Sequence, residues 1–186
     1  MQGFTLIEIL IVVFIIGLTA SVISLSMSDD KKDSAPYQEA SKLLQSIAFV
    51  SEYSALNGDV IAMFVNQRQS EDALNKQWCY SWKRFRDNNW GELPGEILPE
   101  HCLADTLVWE LVIEGHIYAY DPDVEIQPPV LVFSPSGEAT PVEMALFESA
   151  ASGSTTNNAQ HIEIDMMGIS RWLEQDEAEA EAGNDK

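Results

Sequence analysis

The sequence predicts an α+β protein: a long N-terminal helix, apolar enough in its first half to cross a membrane, with an antiparallel β-sheet or sandwich domain packed against it. Three observations carry this. From Phe4 to Met27 the chain is almost wholly apolar, with Glu8 the only charge. From Pro36 to Asn57 apolar residues recur every three or four positions, the period of an amphipathic helix. Beyond Gly58 come short alternating segments separated by turn residues, the pattern of antiparallel strands.

The elements follow in order. Spanning the hydrocarbon takes about 20 apolar residues, so the 4–27 run is long enough. A cleaved secretory signal fits less well. Its apolar region runs to about 7–15 residues behind a basic stretch, whereas here the block starts almost at Met1 with no Lys or Arg before it. "SDDKKDSAP" then breaks the apolarity, and its two lysines against three aspartates leave the positive-inside rule little to act on. In the second helical stretch Tyr37, Ala40, Leu44, Ile47, Ser51 and Ala55 draw one face. Pro36 suits a first helical turn, and Asn57-Gly58 is a stop.

"DVIAMFV" and "KQWCYSWKRF" read as strands. "TLVWELVIEGHIYAY" reads as a hairpin about Glu114-Gly115, and "PPVLVFSPSGEATPVEMALF" as two strands flanking a Ser-Pro-Ser-Gly turn. "QHIEIDMMGISRWLE" reads as a strand that turns at Met167-Gly168 into a last one. Several strands at short spacing imply a sheet or sandwich resting on the helix. Residues 86–106 and 149–160 read as loops. The acidic tail 174–186 reads as solvated and disordered. The expected domains are a leader at 1–3, a transmembrane helix at 4–27, a helical continuation at 28–57, a β-domain at 58–173 and the tail.

Acidic residues number 30 against 10 basic, a net charge of −20. Phosphate backbones and anionic lipid surfaces repel such a chain, so nucleic acid is not an expected partner. No nucleophile–base arrangement is visible. Ser134 and Ser136 flank Pro135 in a turn without the frame of a nucleophile elbow. An enzyme is not expected, nor is a cofactor. Cys79, His101, Cys102 and His116 match no zinc spacing. The carboxylates of Asp121, Asp123 and Glu125 read as a solvated face, so no metal is expected. The five tryptophans read as core and interface residues. Cys79 and Cys102 are candidates for a disulfide if the domain lies outside the cytoplasm; two reduced thiols are the alternative.

"GFTLIE" resembles the processing site of type IV pilin-like proteins. The resemblance implies cleavage by a prepilin peptidase after Gly3, N-methylation of the new terminal residue Phe4, and an assembly role for Glu8, the fifth residue of the mature chain. The leader "MQG" departs from the family's pattern in being short and lacking Lys or Arg. Without an assembly role, Glu8 would be a charge snorkelling to the headgroups from about 6 Å inside the mature terminus. The family also implies that the 28–57 helix continues the membrane helix.

"VLVFSPSGEATPVEMAL" and, after a loop, "IEIDMMGISRW" resemble the closing strands of H-type minor pseudopilins of type II secretion. This implies the pseudopilin fold and a single-pass inner-membrane protein with a periplasmic C-terminal domain. The implied partners are other pseudopilins, the inner-membrane secretion platform and the prepilin peptidase. The implied work is helping to export folded proteins across the outer membrane. The alternatives are a minor pilin of a type IV or competence pilus, and a single-pass receptor that keeps its anchor uncut.

Overall fold

The computed structural model describes residues 7, 12, 33–69, 76–94, 97–149 and 158–184. The chain divides into two compact units, Met1–Ser34 and Ala35–Lys186. In the first, Ile7 and Val12 are helical and exposed. The rest of the apolar run, and with it the expected leader and membrane span, lies outside the described residues. Among the described residues no helix is long and apolar enough to cross a membrane.

The second unit opens with α1, Ala35–Asn57. Asp33 and Ser34 precede it as a turn and a bend, and of the expected helical stretch 28–57 the part from Ala35 on is described as helix. Residues 28–32 lie outside the described residues. Pro36 suits the first turn of α1, where a missing N–H costs no helical hydrogen bond. Helix α1 buries Pro36, Glu39, Ala40, Leu43, Ser46, Ile47, Val50 and Ser54. The buried stripe is rotated from the expected one. Ala40 and Ile47 belong to both, but Leu43 and Val50 define its centre while Ala55 is exposed. Two neighbouring stripes share the same three-four spacing, and the bulkier side chains decide which one faces the core. The helix ends where the Gly58 N–H donates to the Ser54 carbonyl and the Ser54 hydroxyl donates to the Asp59 carbonyl at 2.7 Å.

Among the described residues ten strands follow in two antiparallel sheets. The first sheet has the order β3-β2-β1-β7, with β4 also on β2. It is built from β1 (Val60–Gln69), β2 (Lys76–Arg86), β3 (Asn89–Glu92), β4 (His101–Cys102) and β7 (Leu131–Phe133). The second sheet has the order β10-β9-β8-β5-β6. It comprises β5 (Leu107–Ile113), β6 (His116–Ile117), β8 (Val142–Glu148), β9 (Gln160–Ile164) and β10 (Ser170–Trp172).

One face of the second sheet is apolar. Trp109 lies opposite Leu146, Leu111 opposite Met144, Met144 opposite Ile162 and Ile162 opposite Trp172, all buried. Glu110, Glu143 and Glu163 alternate on the other face, as a pleat with one wet side requires. Central β1 is covered on both sides. Ile61, Met63 and Val65 join the core with Leu43, Ile47 and Val50 of α1. Phe64, on the opposite face, is capped edge-on by Trp90, with the Lys83 ammonium 5.2 Å from its ring centre.

Three expectations change. The loop expected at 86–106 contains β3 and β4. Asp87 and Asn88 have φ of 52° and 62° and close a two-residue hairpin into β3, which is Asx chemistry at a left-handed turn. The strands beside Ser-Pro-Ser-Gly belong to different sheets. A short ladder closes with Phe133 opposite Ala139, and Pro141, with no N–H, then leads the chain over to β8. The tail is helical rather than disordered: α2 spans Leu173–Asn184. Its Leu, Glu, Gln and Ala are strong helix formers, and Glu174 and Asp176 sit favourably in the first turn. Glu174 also accepts the His161 backbone N–H at 2.7 Å, joining α2 to β9. The tail is exposed over 175–183.

Candidate processing and assembly site

The residues assigned to processing and assembly by their motif, Gly3, Phe4 and Glu8, lie outside the described residues. The chemistry they would carry follows from their types. A small residue before the scissile bond admits a peptidase. Cleavage there would leave an amine on Phe4, four residues before the Glu8 carboxyl.

In the folded unit, Cys79 of β2 stands directly opposite Cys102 of β4, and the two are joined as a disulfide. Cys79 is fully buried and Cys102 half-buried. The bond consumes both sulfurs of the cysteine–histidine quartet. His116 is exposed beside the β5–β6 turn, its Nδ1 3.0 Å from the Glu114 carbonyl oxygen. Among the described residues no three metal-ligating side chains converge. Asp121 and Asp123 form a local turn in which the Asp121 carboxylate accepts the Asp123 N–H at 3.0 Å. Ser134 and Ser136 share a 2.7 Å hydrogen bond on the surface, and Ser136 donates to Glu138.

One cluster lay hidden in the sequence. Glu39 is buried in the helix–sheet interface, where its carboxylate accepts from His101 Nε2 at 2.6 Å and from Lys42 Nζ at 2.8 Å. The His101 ring packs against Tyr80, centroids 5.4 Å apart. Burial pushes the Tyr80 phenol up to about 12, against the pull of its hydrogen bond with Ser46 and with a small further push from Glu39. The one available sign was a glutamate beside Ala40 on the apolar stripe, where an unpartnered charge would be costly.

Between the β1–β2 end and β5 lies a groove of about 550 Å³. Trp78, Trp109, Tyr118 and Tyr120 line it, with Gln67 and Lys76 at the strand ends. Trp78 meets Tyr120 edge-on at 5.4 Å, and burial raises the Tyr118 phenol.

Residues 1–24 match the prokaryotic N-terminal methylation motif. Over 188 aligned residues the chain is 25% identical to type II secretion system protein H of Aeromonas hydrophila, covering 96% of both chains. Two solved structures of the minor pseudopilin EpsH from the type II secretion system of Vibrio cholerae share the fold. Their TM-scores are 0.58 and 0.56, each at 15% identity, over 75% and 74% of this chain and 95% and 92% of theirs. Motif, long helix and antiparallel sheets together make the chain similar to type IV pilin-like proteins. Among them, the likeness is to the H-type minor pseudopilins of type II secretion.

Proposed function

We propose that this chain is a minor pseudopilin subunit of a type II secretion pseudopilus and helps to export folded proteins across the outer membrane. The end-to-end likeness to a type II secretion protein H carries this reading. The work is mechanical, that of a filament subunit rather than an enzyme. The protein is a single-pass inner-membrane protein with its C-terminal domain in the periplasm. Its partners are other pseudopilins, the inner-membrane platform and the prepilin peptidase. Deleting it should abolish exoprotein secretion and leave surface pili intact. Loss of pili with secretion intact would make it a pilus subunit instead.

The peptidase cuts after Gly3 and Phe4 is N-methylated. Mass spectrometry of the membrane-extracted protein should find methylated Phe4 at the terminus; an intact Met1 would remove both the processing and the filament readings. Glu8 then offsets the Phe4 amine of a neighbouring subunit, since paired charges cost far less in an apolar filament centre than lone ones. Glu8→Val should insert and be cleaved yet crosslink poorly to other pseudopilins, with Glu8→Asp intermediate. Wild-type crosslinking and secretion by Glu8→Val would reduce Glu8 to a tolerated charge.

A further inference from the structure

The bridge between β2 and β4 sits one residue from the His101–Glu39 contact, the one hydrogen bond between ionisable side chains found, among the described residues, between α1 and the first sheet. Cys102 is held to Cys79, and its neighbour His101 reaches Glu39 of the helix at 2.6 Å. Strand β4 is two residues long and pairs only with β2, at Cys79–Cys102 and Tyr80–His101. Its flanks are fastened too: Leu103 is buried in the core, its N–H donates to the Trp78 carbonyl and its carbonyl accepts from Gln77, while Glu100 accepts from Asn66 and pairs with Arg68 of β1. So short a strand has almost no ladder of its own, and among these fastenings of His101 the covalent bond is the one that a change of redox state opens.

Every polar group facing Glu39 comes from its own helix or from this corner. Lys42 lies one turn on, His101 comes from β4, and Tyr80 lies beside the imidazole. The Lys42 side chain is largely exposed, whereas Glu39 is buried. His101 is therefore the fixed partner of the carboxylate, and a carboxylate in the interface loses much when a fixed partner leaves.

We propose that Cys79–Cys102 and His101–Glu39 form one clasp, through which the oxidation state of the cysteines controls how firmly the first half of α1 is held to the first sheet. Closure takes two protons and two electrons from the thiols, passed to a disulfide oxidant that becomes a dithiol. Opening runs in reverse: a dithiol reductant attacks Cys102, the less buried sulfur, the S–S bond breaks, Cys79 leaves as a thiol, and the reductant closes into its own disulfide. The helix is thus clasped only after the domain has reached an oxidising compartment. His101 is a positioning residue that transmits the state of the bridge.

The test is segment-resolved amide hydrogen exchange on the full-length chain in detergent, oxidised and after treatment with dithiothreitol. Exchange over Glu39–Ile47 should rise about tenfold on reduction, with Val50–Asn57 and strands β8 and β9 changing less than about twofold. Oxidised His101→Ala should show the same local rise, and reducing it should add less than about twofold. Cys79→Ala/Cys102→Ala supplies the open state without reductant and should match reduced wild type. Three results would each overturn the clasp: faster exchange confined to β4 with α1 unchanged, uniform acceleration or unfolding of the whole chain, or a full tenfold response to reduction in His101→Ala.

Discussion

Gly168, in the β9–β10 turn, is the position where the fold is least forgiving of one added carbon. Its φ is +73°, and a Cβ built there would lie 2.5 Å from the Gly137 carbonyl oxygen. Both atoms belong to tight turns. The Gly168 N–H donates to the Asp165 carbonyl, and Gly137 N–H to that of Ser134. The two turns are tied together where Ala139 N–H donates to the Met166 carbonyl at 3.1 Å. No flexible side chain can move aside. The left-handed conformation alone costs an L-residue about 1–2 kcal/mol. Displacing two hydrogen-bonded turns by roughly half an ångström or more adds a similar amount, since native interiors transmit strain rather than absorb it. Gly168→Ala should therefore destabilise by about 2–4 kcal/mol. Two controls separate the terms. Gly115 has φ +78° with open space around the added carbon, so Gly115→Ala should cost only the conformational part, about 1–2 kcal/mol. Gly91 has neither positive φ nor a neighbour within 4 Å, and Gly91→Ala should be near neutral. Urea unfolding of the full chain in detergent, followed by tryptophan fluorescence, gives all three values. If Gly168→Ala costs no more than Gly115→Ala, the close approach of the two turns is wrong.

Leu43 is 1% exposed at the centre of the α1 stripe, so Leu43→Ala should cost about 2–5 kcal/mol in the same assay, whereas Ala55→Ser on the exposed side should be neutral. The Tyr80 phenol, pushed up to about 12 by burial, favours the fold in its protonated form. Its contribution is full below pH 10, where the unfolded phenol ionises, and is lost as pH rises toward 12. Unfolding titrations across that window should show stability falling in wild type and a shallower fall in Tyr80→Phe; equal slopes would remove the argument. Alkylation of the unfolded, non-reduced chain should label neither cysteine, and two labelled thiols would mean that Cys79 and Cys102 are unbonded in the cell.

What could be read in advance was what depends on local chemistry. The hairpin at Glu114-Gly115 and the turn at Met167-Gly168 were legible because residues of positive φ occur where the chain must reverse. The Asp87-Asn88 turn obeys the same rule but was lost in an acidic, Pro-rich stretch that reads as loop. Sheet membership was not legible. Leu131–Phe133 and Val142–Glu148 each look like strands, and nothing local says that the first pairs with β1 and the second with β5 and β9. The helix period was clear while its phase was not, because phase depends on the combined bulk of both sheets. The tail's charge points to solvation, while its Glu, Gln and Ala run also favours helix.

The motif and the folded unit answer different demands. The motif is recognised by a peptidase as residue types in a row, so it is written in sequence and needs no fold to be seen. The pairing of Glu39 with His101 spans 62 positions and depends on α1, β2, β4 and a disulfide all being in place. No spacing rule could link the two residues. A buried carboxylate on the apolar stripe was the only trace left at sequence level, and a charge there requires a partner delivered by the tertiary fold. The cysteines were legible as a candidate pair because secreted domains of this size commonly bridge. The structure adds that this bridge lies beside the helix–sheet seam. A covalent bond there stands one residue from the imidazole that hydrogen-bonds a glutamate on the core face of α1.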